Sequence, residues 1–498
     1  MHISLYTSGA YTEKDITKAP FAMKLYESLA EKLTLQINNG YFQPGDKLPS
    51  IRQMSKTHEV SISTVQEAYR LLEDRQIAEV RVKSGYYVMS SRTVAPKLLN
   101  ISRPDPTPVN ISQWEAIVGL LYSHEDHHTL ALGKGTPHVS GSTIQPLFKL
   151  ISRFSRNEHV NQLTYDSLQG SETLRREIVG IMTHSACQLH HDEIVTTTGC
   201  QEALSCSMRA VTQTDDVIAI ESPSFYGTMQ IIQALGLKAL EIPTHPETGI
   251  SLEALEMALE QWPIKALLIT PTCNNPLGYV MPDDHKERLI SLANHHDFAI
   301  IEDDIYGDLA YANPRPRSVK SYDTEGRVLY CSSFSKTVSP AFRTGWCAPG
   351  RYIEKFKHMK YVSTACGSVL QPRAIAEFVA KGHYNRHIKT MRAQYLRNRD
   401  MLIELVTQHF PENIRMSYPQ GGYLLWISLD ESIDTSDLNK QLTIHGFSIA
   451  PGSVFTAAKK FNHCLRLNYA QDITPAVRNA IAILGQVIKD AVAQNTTI

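Results

Sequence analysis

Apolar residues recur at Leu25, Leu29, Leu33 and Ile37, the spacing of one helix face. Asn39-Gly40 stops that stripe, and Pro44-Gly45 turns the chain. Leu48-Pro49-Ser50 opens a second helix that Ser50 can cap, with Arg52 in its first turn and an end near His58. Val60-Ser61-Ile62-Ser63 makes a tight connection to a third helix, roughly 63–73, which carries Val65, Ala68, Tyr69 and Leu72 inward. Two short strands follow, around 77–82 and 86–89, joined through Lys83-Ser84-Gly85. Helix, turn, helix and β wing predict an α+β winged helix-turn-helix over residues 20–90. Its third helix can enter a DNA major groove.

The pattern then changes twice. Residues 91–129 hold Pro96, Pro104, Pro106 and Pro108, then a short amphipathic piece near Trp114 to Tyr122. The proline-rich part predicts an extended, stiff linker. Over residues 130–498, short β-branched runs alternate with helical patterns: 193–197, 217–220, 266–270, 299–302 and 327–331. Each is bounded by turn residues, as in a parallel sheet buried under helices, which predicts an α/β body.

Composition adds bounds rather than direction. Across 498 residues, 49 Lys and Arg stand against 50 Asp and Glu, so no global charge points to nucleic acid. In residues 24–90 nine Lys and Arg meet eight Asp and Glu, a net of +1, so DNA contact there rests on the motif and on placement. The 8 cysteines show no C-x-x-C pair and predict reduced thiols in a cytoplasmic protein. The N-terminus lacks the basic start and apolar run of a signal peptide, and no apolar stretch approaches a membrane span. Histidine pairs at His127-His128, His190-His191 and His295-His296 lack an accompanying Cys or carboxylate pattern, so no metal site is expected.

The densest chemistry lies in Ser332-Ser333-Phe334-Ser335-Lys336, with Arg343 seven residues later. An amine among hydroxyls beside a guanidinium suits a carbonyl compound that also carries a phosphate. Upstream, Thr198-Gly199-Cys200-Gln201 runs from a strand into a helix whose first N–H groups can meet an anion. The Glu221-to-Gly227 loop offers Phe225 or Tyr226 to stack on a flat ring. Asn275, in an Asn-Pro-x-Gly turn, can aim its amide at a ring oxygen. Asp303 can pair with a protonated ring nitrogen, and Tyr306 can hydrogen-bond a phenolic oxygen.

Two resemblances follow from these residues. The stretch from Gly40 through Pro44-to-Arg52, Val60-Ser61, Thr64-Val65, Ala68-Tyr69 and Ser84-to-Val88 resembles the GntR family of bacterial regulators. That resemblance implies DNA contacts from Arg52, Ser61, Ser63 and Thr64, and wing contacts from Lys83, Ser84 and Gly85. Gln76 departs from the glycine usual before the first wing strand. From Leu130 onward the chain resembles fold-type I pyridoxal-phosphate enzymes of the aspartate aminotransferase superfamily. This implies pyridoxal 5′-phosphate held as an aldimine on Lys336, with Asp303, Asn275 and Tyr306 on the ring and Phe225 stacked on it. Arg343, with Ser333 or its neighbour Ser335, falls to the phosphate. Tyr165 would reach the neighbouring subunit's phosphate, and Gly135 and Arg466 would receive a substrate carboxylate. The fusion resembles the MocR subfamily of GntR regulators, which implies a head-to-tail homodimer, operator DNA and a small amino-compound effector. An aminotransferase whose head is autoregulatory is the alternative.

Overall fold

The computed structural model describes residues 24–38, 41–42, 45–74, 77–81, 84–88, 96–111, 114, 117–118, 129–139, 141–157, 164–458 and 460–496. The chain divides into two compact units, Met1–Thr93 and Val94–Ile498. Among the described residues no helix is long and apolar enough to cross a membrane.

In the head, α1 (Leu25–Asn38), α2 (Ile51–His58) and α3 (Ile62–Asp74) enclose Leu29, Leu33, Leu48, Met54, Val65, Tyr69 and Leu72. Ser50 caps α2 by accepting from the Gln53 amide at 3.3 Å, as the sequence predicts. Ser61 does the same for α3, accepting from the Thr64 amide at 3.1 Å. Glu59 joins the two helices in the left-handed region, at φ 52°. The buried Tyr69 hydroxyl donates to the Pro49 carbonyl at 2.5 Å and so fixes α3 against the start of α2. The wing is an antiparallel pair, β1 (Ala78–Arg81) and β2 (Gly85–Val88). Gly40, Pro44, Gln76 and Lys83 lie outside the described residues.

The body begins with the short strand β3 (Leu130–Ala131) and is built on two further sheets. Strands β4 (Val195–Thr197), β5 (Val217–Ser222), β6 (Lys238–His245), β7 (Gly249–Ile250), β8 (Ile264–Ile269), β9 (Ala299–Asp303), β10 (Val328–Ser333) and β11 (Gly345–Ala348) form one sheet, ordered β4-β11-β10-β9-β8-β5-β6-β7. Its centre is parallel, as expected; β7 and β11 run antiparallel to their neighbours, which sequence pattern alone does not reveal. Strands β5 and β9 are buried along their whole length, which is why they read as continuous apolar runs. The second sheet holds β12 (Arg415–Met416), β13 (Leu424–Ser428), β15 (Ala450–Pro451) and β16 (Cys464–Asn468). Strand β14 (Phe447–Ser448) pairs instead with β3, placing the Gly133–Pro137 loop beside this smaller layer.

Residues 97–109 fall within the sequence-assigned linker span and lie along the body. Val109 and Ala239 exchange two backbone hydrogen bonds, at 2.8 and 2.9 Å, on the flank of β6. Met416 N–H donates to Lys97 O at 2.9 Å, and Trp262 Nε1–H to Pro106 O at 3.2 Å. Val109 and Ile111 add side chains to the core under the sheet.

Candidate active site in the body

Strands β4, β5, β8, β9 and β10 run the same way, and five of the predicted site residues follow or end one each. Carboxyl-terminal strand ends of an open α/β sheet are where ligands collect, because loops there are free of packing duties. Gly199, Phe225, Asn275, Asp303 and Lys336 come from five such ends.

Lys336 is half-buried and donates from Nζ to the Gly135 carbonyl at 2.6 Å. Burial, with the Arg466 guanidinium nearby, lowers its pKa to about 8; Asp303 opposes that shift. Asp303 is buried at the end of β9, and burial raises its carboxyl to about 6. The Cys200 thiol donates to Asp303 Oδ1 at 3.4 Å, and the Ile305 amide donates to the same oxygen at 3.3 Å. The strand's alternation sorts three adjacent carboxylates. Glu302 accepts from the Val319 and Lys320 amides, and Asp304 pairs with Arg315 and Tyr330. Only Asp303 of the three faces the lysine's side.

The opposite wall is Arg466, 1% exposed on β16. It donates to Asn275 Oδ1 and to Gly133 O, both at 2.8 Å, and sits 4.8 Å from the Phe455 ring centroid. Its Nε is buried without a partner among the described residues. A β-carbon on Gly135 would come within 3.3 Å of this guanidinium, a tight contact, so glycine lets the loop backbone lie close to it without displacing Arg466. Asn275 thus contacts Arg466, a pairing that spacing did not suggest.

At the helix Cys200–Val211 the amino end carries no side-chain cap, leaving its first amides free for an anion. Gly199 takes φ 87°, and a β-carbon there would collide with the Arg343 guanidinium. Arg343 donates to Ser335 Oγ at 3.4 Å and to Thr198 O at 3.0 Å. Ser335 is therefore the serine beside Arg343, whereas Ser333 Oγ accepts from the Ser335 amide at 3.2 Å. The Cys200 side chain turns towards Asp303, to which its thiol donates. Gln201 Nε2 donates to Gly227 O at 3.0 Å, tying this helix to the Phe225 loop.

Phe225 lies 4.5 Å from Tyr226, centroid to centroid, and covers Gly227, where a β-carbon would collide with it. Tyr306 is buried against Tyr423, and burial raises its hydroxyl well above the usual range. Tyr165 is 86% exposed. Sequence reading passed over Tyr423, whose hydroxyl donates to Gly135 O at 3.2 Å, the acceptor Lys336 uses. Its signal was the pair Gly421-Gly422 just before an apolar strand. Glu221 was also missed. Its buried carboxyl, raised to about 8 by burial, accepts from Asn274 Nδ2 and the Thr270 amide, both at 2.9 Å, and holds the turn that presents Asn275.

The head supplies a second, separate surface. Arg52, Ser61, Ser63, Ser84 and Gly85 are exposed on it, and Thr64 is half-buried. Elsewhere, His190, His191 and Asp192 bring ligand atoms within 4.8 Å of one another, but they form a helix cap in which Arg175 donates to Asp192 at 3.1 Å.

A lysine set against a buried carboxylate, an arginine–helix anion cradle and a second arginine facing them fit pyridoxal 5′-phosphate, which is the cofactor of this site. The fold and site define an aminotransferase body, and the head defines a DNA-binding regulator. The chain belongs to the aminotransferase class I and II family, whose model matches residues 128–484, and residues 25–88 match the bacterial regulatory proteins of the gntR family. It is 43% identical over 94% of its length to the HTH-type transcriptional regulator YjiR of Escherichia coli, 99% of which is covered. A second Escherichia coli regulator, YdcR, is 32% identical over 94% of this chain and 100% of its own. The crystal structure of Pyrococcus horikoshii kynurenine aminotransferase, solved with PMP, superposes with a TM-score of 0.69 at 26% identity, covering 77% of this chain and 95% of that one.

Proposed function

We propose that the protein is a cytoplasmic transcriptional regulator of the MocR type, whose body senses an amino compound at Lys336 and whose heads read operator DNA. The observation that carries this reading is one chain holding both an exposed helix-turn-helix surface and a buried amine–carboxylate–arginine site. Pyridoxal phosphate at this site supplies a carbonyl carbon for a primary amine and a ring that withdraws electrons from it.

The chain's own groups define what else the site does. Arg466 grips an incoming carboxylate, its free Nε offering one more donor. Asp303 would hold a proton on the ring nitrogen, and Arg343 with the helix amides would hold the phosphate. The Gly135 carbonyl is the acceptor the Lys336 amine would keep whenever it is free. Effector binding would switch DNA binding only if the effector favours one conformation over another. Tyr165 stands exposed for a partner subunit, in keeping with a head-to-tail homodimer. The decisive experiment measures promoter affinity for wild type and Lys336→Ala, with and without pyridoxal phosphate and amino acids. Affinity that responds only in the wild type is expected; equal affinity throughout overturns the reading.

One observation favours transamination as a second activity. Burial and the nearby Arg466 guanidinium hold the Lys336 amine below the usual lysine range, at about 8, and its Nζ lies on the Gly135 loop, so it would be placed and poised to move a substrate proton. Single-turnover assays that yield a keto acid and pyridoxamine phosphate would establish it.

A further inference from the structure

The stretch 97–109 reaches the cofactor site through one residue. Ser102 is buried against the end of β6: its amide donates to Thr244 O at 3.3 Å, and its Oγ accepts from the Thr244 amide at 2.8 Å. Thr244, 1% exposed, donates its hydroxyl to Ile242 O at 3.1 Å. That leaves the oxygen's lone pair for the Ser222 amide, which donates to it at 3.0 Å. Ser222 ends β5 and begins the loop that carries Phe225 three residues on. The loop is held again by the Ser224 amide on Phe455 O at 2.8 Å, and Phe455 is the ring under Arg466. Ser102, Thr244, Ser222, Ser224 and Phe455 are all buried, and Phe225 is half-buried, so water has little room to absorb a shift along the contacts that lead to it.

We propose that the linker segment is a working part of the cofactor site: Ser102 and Thr244 are positioning residues that set the loop bearing Phe225, so that cofactor or effector binding and docking of the linker bias each other. This rests on the reading of the body as the sensing site and names the route by which its state leaves the body. The stretch 97–109 would be the two-state element, since a segment held to the flank of β6 by a few backbone bonds opens more cheaply than a strand inside the sheet.

The test uses the full chain without DNA. Amide exchange at Ser102 and Val109 is measured with and without pyridoxal phosphate. Cofactor affinity is then titrated for Ser102→Ala, Thr244→Val and the conservative Thr244→Ser. Exchange at both amides should slow when the cofactor binds. Ser102→Ala and Thr244→Val should weaken cofactor binding roughly three- to tenfold, the scale of one buried hydrogen bond, with Thr244→Ser near wild type. Cofactor-independent exchange, together with Ser102→Ala affinity within about twofold of wild type, overturns the proposal; this arm stands even where Thr244→Val fails to fold. Promoter affinity that ignores Lys336→Ala would remove the regulatory reading and leave this coupling intact, so the two failures are distinct.

Discussion

The head and the body place their candidate site residues in opposite ways. In the head, Arg52, Ser61, Ser63 and Thr64 lie within thirteen residues of sequence; the first three are exposed and Thr64 is half-buried. In the body, Gly135, Gly199, Asp303, Lys336 and Arg466 are drawn from across 332 residues and most are buried. A surface that reads DNA needs only a rigid local frame and exposed donors, because its ligand brings the charge. A site built to receive an amine needs shifted protonation, which burial and neighbouring charges supply together.

The sharpest break of that comparison is Arg466→Ala. It leaves Asn275 Oδ1 and Gly133 O without the Arg466 donor and removes the proposed carboxylate grip. Amino-acid binding, followed by the cofactor's absorbance, should fall about a hundredfold or more, the scale of a lost buried charge pair. A fall of less than about fivefold would take the carboxylate away from Arg466.

Next comes Asp303→Asn, read as stability in the cofactor-free protein. Its folded pKa, about 6, lies above the ordinary aspartate value of 3.8, so the folded state binds the extra proton. The penalty of the buried charge is absent below about pH 4, grows as pH rises to 6 and is constant above it. At pH 8 the asparagine variant should be more stable by roughly 1–3 kcal/mol in urea unfolding, with the gap closing as pH falls through 6. A gap unchanged between pH 8 and 4 would mean Asp303 does not carry the buried charge.

Arg52→Ala sharpens the comparison from the other side. Operator affinity should drop roughly tenfold, with the cofactor spectrum unchanged. A shifted spectrum would show that head and body are not separable in function. The smallest effect belongs to Ser50→Ala: losing the cap on the Gln53 amide should cost the head about 1 kcal/mol, measured by its thermal transition, and leave the body's transition in place.

These differences also explain what was legible in advance. The winged head could be read almost residue by residue, because caps, turns and helix stripes are local. In the body, the strand ends and Lys336 were legible for the same reason. The pairing of Cys200 with Asp303 was not, because a strand-to-helix turn fixes where the backbone goes and not which way the first helical side chain points. Tyr423 on Gly135 and Ser102 on Thr244 join residues 288 and 142 positions apart, beyond any pattern of period two or 3.6.

By itself, then, the sequence determined the order of elements, the division into head and body, and the residue types able to hold a phosphate, a ring and a carboxylate. Tertiary structure alone decided which of three adjacent carboxylates faces the lysine, how far each group's proton affinity moves, and that the proline-rich stretch lies on the sheet's flank. The physical reason is range. Backbone propensity acts over a few neighbouring residues, whereas desolvation and hydrogen-bond partners depend on what distant segments bring to the same place.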